Sequence, residues 1–245
     1  MNGPAYEKVL TADTVHVWRA DLSRLGERYD RCWMLLAEEE KRRAYRLRDG
    51  VIRHRFVAGR AILRCVLSRY LATEAGDIRI GVGPHGKPHI GGGDAGCGLA
   101  FNVSHSGNLA LVAVASQRHV GVDVEIWRKV ASIEGLVEKC FAEEEGLYWQ
   151  GLPANLQVGV FFDVWTLKEA FVKAVGKGIA LGLKQCIIMP GKRPVLTKVP
   201  VGCGDPGDWM LCRLNLGSGV SGAVAVMGRT ARVELFDFEV SGTDD

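Results

Sequence analysis

Leu167, Ala170, Phe171 and Ala174 recur at i, i+3, i+4 and i+7 within the stretch 165–179. That spacing gives a helix one apolar face to bury and leaves Glu169 and Lys173 four apart on another. Gly176 and Gly178 end the helix. A carboxylate and an ammonium one turn apart make a surface pair of about 0.3–0.5 kcal/mol, so the spacing by itself fits an ordinary surface as well as a site. A second pattern, Val120 to Ile126, alternates with period two. Its valines and Ile126 fall on one side of a strand and Gly121, Asp123 and Glu125 on the other, so the two carboxylates project together roughly 7 Å apart. Leu109 to Ala115 is an apolar run of strand length, and the Gly- and Pro-rich segments at 83–86, 91–94 and 202–207 favour tight turns between antiparallel strands.

These patterns belong to a weak internal duplication. Val15-His-Val17 falls on Val120-Gly-Val122 at an offset of 105, and Ala37-Glu-Glu-Glu40 recurs as Ala142-Glu-Glu-Glu145 at the same offset. The segment 58–64 falls on the helix at 165, Ile78 to Pro88 parallels Ile187 to Pro194, and Leu109–Ala115 parallels Val220–Val226. The shared order predicts an α+β fold of two similar subdomains related by a pseudo-twofold, each a small antiparallel sheet packed with a long helix. A cleft between the subdomains is the expected ligand site. The join falls near Gln117 to Val120, which gives an N-terminal half 1–118 and a C-terminal half 119–245 with the acidic tail Ser241–Asp245 at its end.

Composition narrows the class. With 245 residues, 47% hydrophobic and 24% charged, the chain is expected to be an ordinary globular protein. It shows neither a basic leader followed by an apolar run nor an apolar segment long enough to span a bilayer. The expectation is a soluble cytoplasmic protein with no membrane partner. Seven cysteines, an odd number without Cys-x-x-Cys, signal neither a disulfide framework nor a zinc site. Charge changes the picture more. The net charge is +3, yet residues 41–69 hold ten Lys/Arg against Asp49 alone, so that stretch carries +9 and the remainder −6. A solvated basic face explains this as well as a polyphosphate ligand, an acidic protein partner or nucleic acid does.

Several groups are candidates for chemistry. Asp123 and Glu125 on one strand face repel each other unless water or a cation lies between them, and a hard divalent ion such as Mg2+ is held by carboxylates with phosphate oxygens and water. The first half carries Trp18 and Ala20 at the aligned positions, so only one half would hold metal. Phe101-Asn-Val-Ser-His105-Ser-Gly107 reads as a turn able to grip an anion. Ser104 and His105 are adjacent, which on an extended segment points them apart and argues against a nucleophile pair. Lys87, between Gly86 and Pro88, is a further phosphate contact candidate or an ordinary turn. Gly176-Lys177-Gly178 follows a helix and is not a Walker A loop.

Taken together, these residues resemble the 4′-phosphopantetheinyl transferases of the larger, pseudo-dimeric Sfp type. The resemblance runs from Ala37-Glu-Glu-Glu-Lys41 through Gly86-Lys87-Pro88, Asn102 to Gly107 and Gly121-Val-Asp123-Val-Glu125 to Trp165-Thr-Leu-Lys168-Glu169-Ala-Phe-Val-Lys173. Ala170 departs from the Ser that many members carry. The resemblance implies transfer of the 4′-phosphopantetheine arm of coenzyme A (CoA) to a serine of an apo acyl, peptidyl or aryl carrier protein, with release of 3′,5′-ADP. It implies that Asp123, Glu125 and Glu169 bind Mg2+, with Mn2+ as an alternative, and that Lys173 lies near the transferring phosphate. Lys168 is implied beside it. Asn102, Ser104 and His105 would contact CoA phosphate, Lys87 and Pro88 would lie along the adenine and phosphates, and Arg60 and Arg55, with Arg42 near, would supply basic contacts. Glu169 is the expected base for the carrier serine, with Asp123 and Lys173 the other catalytic groups. Because one chain supplies both walls of the cleft, a monomer is expected.

Two rivals stand beside this reading. A catalytically silent protein of the same fold would bind CoA or carrier without transfer. A nucleic-acid-binding protein would use residues 41–69, but its arginines are not interleaved with exposed aromatics and the three acids go unexplained, so no nucleic-acid partner is expected.

Overall fold

Glu40 turns back to accept the N–H of Ala37 at 2.9 Å, and Glu145 does the same for Ala142 at 2.6 Å. Each Ala-Glu-Glu-Glu segment is therefore a helix start held by the last of its glutamates, the return half of a capping box whose forward half alanine cannot make. The computed structural model describes residues 9–178 and 182–239. Ile179 and the acidic tail lie outside them. In chain order the elements are β1 (Thr14–Asp21), α1 (Tyr29–Met34), α2 (Glu38–Arg46), α3 (Gly50–Leu67), β2 (Arg79–Val82), β3 (Pro88–Gly91), β4 (Leu99–Ser106) and β5 (Leu109–Ser116). They continue with β6 (Val120–Ile126), α4 (Ile133–Cys140), α5 (Glu143–Gln150), α6 (Ala154–Val175), β7 (Ile187–Met189), β8 (Val195–Lys198), β9 (Trp209–Arg213), β10 (Val220–Met227) and β11 (Arg232–Asp237).

The order of elements repeats as the offsets require, with α2, α3 and the β2–β3 hairpin answered by α5, α6 and the β7–β8 hairpin. The larger sheets are β11-β1-β5-β4 and β6-β10-β9. Most pairs are antiparallel, but β11 runs parallel to β1, Thr14 opposite Arg232 and Arg19 opposite Asp237. The division at 118/119 coincides with the gap between β5 and β6, yet the last strand of the C-terminal half belongs to the sheet of the N-terminal half. An Arg19–Asp237 pair at 2.6 Å closes that edge.

The layers follow from alternation. Ala110, Val112 and Val114 of β5 pack with α3 residues such as Ala58 and Ile62, while Leu111, Ala113 and Ala115 turn to the other side and meet Val120, Val122, Val124, Val224 and Val226. On β10, Ala223 and Ala225 face Leu167, Ala170, Phe171 and Ala174 of α6. The order is thus α3, first sheet, second sheet, α6, with a shared apolar core between the sheets. The run 109–115 is buried throughout because it is a central strand with apolar layers on both faces.

Three expectations change in detail. The helix expected at 165 starts at Ala154, so the segment Gly146–Val160, read as a loop that could set carrier specificity, is mostly helix, interrupted at 151–153. Its end is as expected, since Gly176 adopts φ 78° and donates to the Val172 carbonyl at 3.0 Å, the left-handed cap that glycine takes without strain. The motif 101–107 is a strand through Ser106, because Phe101 and Val103 alternate with Asn102, Ser104 and Ser106. The turn is Gly107-Asn108, with Gly107 at φ 58°. All seven cysteines are free, five of them buried. Among the described residues no helix is long and apolar enough to cross a membrane.

Candidate active site between the two halves

β6 delivers its acids to α6. Val120, Val122 and Val124 point into the inter-sheet core, so Gly121, Asp123 and Glu125 face the helix. Gly121 lets them do so. A Cβ there would lie 2.1 Å from the Ala170 carbonyl oxygen and 2.4 Å from the Ala174 nitrogen, well inside contact distance, so only glycine allows strand and helix this close. Lys173 crosses the gap, its Nζ 2.7 Å from Asp123 Oδ1 and 2.9 Å from Ser104 Oγ. The i, i+4 spacing with Glu169 is therefore not where Lys173 spends its charge. Asp123 is 5% exposed. Its other oxygen, Oδ2, is buried without a partner. Burial pushes the Asp123 carboxyl up, against the pull of Lys173 and Ser104. Glu169 is raised by its own burial and then by repulsion from Asp123, with a smaller push from Glu125, which places all three acids within electrostatic reach of one another.

Glu169 and Lys173 open onto a cavity of about 220 Å³ whose other wall is Lys87, Pro88, Asn102 and Val103 from the first half. Lys87 closes the far end of this seam. Its Nζ donates to the carbonyls of Val120 (3.1 Å) and Ala174 (2.8 Å), with burial lowering its pKa to about 8. It is a cation at the cavity with two carbonyl acceptors and, among the described residues, no carboxylate partner.

The remaining expected residues divide. His105 is exposed, one strand step beyond Val103 on the same face of β4. Arg55 donates to the Asn108 side chain at 2.8 Å, bracing the β4–β5 turn. Arg60 is held with Arg64 by Glu40 and does not reach the cavity. Lys168 does not reach it either: its side chain is 0% exposed, paired with Glu145 at 2.7 Å and donating to the Leu183 and Cys186 carbonyls. The duplication explains both cases, because the last glutamate of each Ala-Glu-Glu-Glu start ties its capped helix to the long helix beside it, Glu40 through Arg60 and Arg64 and Glu145 through Lys168.

The basic stretch also shrinks on inspection. Lys41 pairs with Glu38, Arg53 donates to Leu47 O, and Arg43 and Arg69 lie over aromatic rings. With Arg55, Arg60 and Arg64 that accounts for seven of the ten cations, leaving the exposed Arg42, Arg46 and Arg48. Glu38, Glu39 and Glu40, directly before Lys41, offset part of the remaining charge. Ser106, part of the motif but given no role by the sequence, also lies at this seam, its hydroxyl donating to Glu125 Oε2 at 3.0 Å. Its period-two relation to Asn102 and Ser104 was the available signal.

The model of the 4′-phosphopantetheinyl transferase superfamily matches residues 119–225, and that of the 4′-phosphopantetheinyl transferase N-terminal domain matches 23–118. The 4′-phosphopantetheinyl transferase HetI of Nostoc sp. is 36% identical over 89% of this chain and 90% of its own length. The chain belongs to this family. The 4′-phosphopantetheinyl transferase Sfp of Bacillus subtilis is 34% identical over 59% of this chain and 61% of its own. The solved Thermotoga maritima holo-(acyl-carrier-protein) synthase (AcpS) is similar at a TM-score of 0.37 and 22% identity, over 45% of this chain and 63% of that one.

The implied metal can be tested against the residues present. Among the described residues no group of three or more His, Cys, Asp or Glu side chains is gathered so that it could hold a metal ion by itself. A Mg2+ ion, however, is ordinarily held by one or two carboxylates with substrate phosphates and water completing the octahedron. The unpartnered Asp123 Oδ2 is a buried oxygen in need of a cation or proton, so the donor set fits.

Proposed function

We propose that this transferase moves the 4′-phosphopantetheine arm of CoA to the serine of an apo carrier protein at the cavity between Glu169, Lys173 and Lys87. The observation that carries the reading is the buried, unpartnered Asp123 Oδ2, set beside Lys173 and behind a cavity bounded by both halves. Asp123 and Glu169 would hold Mg2+, with Glu125 completing the acidic face. A bound Mg2+ supplies Lewis-acid polarisation of the pyrophosphate and neutralises charge on the leaving group.

The chain's own residues do the rest. The carrier serine Oγ forms a bond to the β-phosphorus of CoA as the bond from that phosphorus to the bridging oxygen breaks, and 3′,5′-ADP leaves with the electron pair. Glu169 takes the serine proton. Its raised pKa makes it a better base than an exposed glutamate. Lys173 reaches the phosphoryl oxygens as negative charge develops there, fixed beforehand by Ser104 and Asp123 so that little reorganisation is needed. Lys87, Pro88 and Asn102 wall the cavity, and His105 extends that wall toward solvent. Positioning and charge neutralisation are most of what phosphoryl transfer asks.

The carrier partner, of acyl, peptidyl or aryl type, presents an acidic helix to the exposed Arg42, Arg46 and Arg48, where Tyr45 and Met34 are also open, 70% and 74% exposed. One chain supplies both cavity walls, so the working unit is a monomer, in the cytoplasm where CoA and reduced thiols coexist. Incubating apo carrier with CoA and Mg2+ and measuring transfer by wild type, Asp123→Asn and Lys173→Met tests this reading. Transfer by the Asp123→Asn protein at the wild-type rate refutes it.

A further inference from the structure

β4 and β6 lie side by side in different sheets, and side chains of one do what the carbonyls of a neighbouring strand would do. Asn102 Oδ1 accepts the N–H of Val122 at 2.9 Å, Ser104 Oγ that of Val124 at 3.3 Å, and Ser106 Oγ that of Ile126 at 3.1 Å. Each step of two on β4 meets a step of two on β6 in the same direction, so the strands run parallel and all three side chains share one face.

This seam fixes more than the two strands. A serine hydroxyl has one hydrogen to give and two lone pairs to receive. In Ser106 the Ile126 N–H points at the oxygen, and the hydroxyl hydrogen goes to Glu125 Oε2 at 3.0 Å. Ser104 is used completely: it accepts from Val124 and Lys173 and gives its hydrogen to Asp123 Oδ1 at 2.8 Å. The backbone of β6 thus orients hydroxyls on β4, and these orient the carboxylate one residue earlier on β6. Only one oxygen of each acid is held. Asp123 Oδ2 has no partner, and both described partners of Glu125, Ser106 and Arg128, take Oε2.

We propose that Ser106 is a positioning residue for the divalent-cation site, holding Glu125 by Oε2 so that Oε1 is presented to the ion that Asp123 Oδ2 also faces. The inference rests on the reading of Asp123 and Glu125 as metal ligands. Ser106 acts through Glu125 and touches neither metal nor substrate, a role of the kind that outer hydrogen bonds play at metal sites.

The test is Mn2+ affinity, read from the EPR signal of free Mn2+ with CoA present and no carrier protein, so nothing turns over. Ser106→Ala is expected to bind Mn2+ about tenfold more weakly, with kcat restored at saturating metal, whereas Ser106→Thr keeps the hydroxyl and the affinity. In a Glu125→Gln background the alanine substitution should cost nothing further, because the hydroxyl acts through that carboxylate. If the alanine protein fails to fold, Ser106→Cys, of similar volume and weak donor strength, is expected to show the same loss. Wild-type Mn2+ affinity in the Ser106 variants, or an undiminished loss in the Glu125→Gln background, overturns the inference while the metal reading stands. Wild-type affinity in Asp123→Asn overturns the metal reading and the inference with it.

Discussion

Glu145 and Lys168 form an ion pair of 2.7 Å in which neither side chain is exposed. Its counterpart in the first half, Glu40 with Arg60 and Arg64, sits where Asp123 and Glu125 have no acidic equivalents, since Trp18 and Ala20 are core residues there. A device present in both halves belongs to the fold and not to the chemistry. Lys168→Met is therefore expected to lose about 3–5 kcal/mol in urea unfolding, the cost of leaving a buried charge without its partner. The KM for CoA of the protein that remains folded should stay near wild type. Normal stability with a raised KM would instead put Lys168 in contact with CoA.

At Gly121 β6 meets the backbone of α6 with no room for a Cβ. Gly121→Ala forces the two apart and is expected to cost about 1–3 kcal/mol as overpacking. Because Asp123 rides on the strand and Glu169 and Lys173 on the helix, kcat should fall further than stability does. Thermal unfolding alongside initial rates separates the two effects, and unchanged kcat in a folded variant would show that the spacing is not critical.

Lys87 makes a prediction in pH. Burial lowers its folded pKa to about 8 from the 10.5 of an exposed lysine, so between these values the folded state binds fewer protons than the unfolded one. Stability attributable to this group therefore rises as pH rises from about 8 toward 10.5, and the slope is absent in Lys87→Met. CoA, a polyanion, favours the charged form. Binding should take up protons above pH 8, and affinity should weaken as pH climbs through that range. Calorimetry in buffers of different ionisation enthalpy reads the uptake, and a pH-independent affinity would exclude Lys87 as a phosphate contact.

The arginines split into two kinds. Arg60→Ala removes a partner of Glu40 and should lower stability. Arg42→Glu and Arg46→Glu should leave stability and the KM for CoA unchanged, while raising the KM for carrier and flattening its salt dependence. Equal effects from both kinds would mean that the basic stretch acts as one field.

The sequence carried the duplication because Glu40 and Glu145 do the same local work, capping a helix and pairing with the helix behind it. It carried the acid face of β6 and the Glu169–Lys173 face of α6 because period two and period 3.6 decide what shares a side. The parallel return of β11 to β1 was hidden, since nothing local in Arg232–Asp237 names a partner more than two hundred residues away. The destinations of Lys168 and Arg60 were hidden for a related reason: a motif gives the residue, but burial and partner come from packing. Ser106 lay in plain view, and its role needed the register of β4 against β6.

The most direct measurement is the intact mass of an apo carrier protein after incubation with CoA, Mg2+ and this chain. The account predicts a gain of one phosphopantetheinyl arm with the wild-type protein and none with Asp123→Asn or Lys173→Met, both still folded. An unchanged carrier mass with the wild-type chain across acyl, peptidyl and aryl carriers, or full modification by Asp123→Asn, would contradict it.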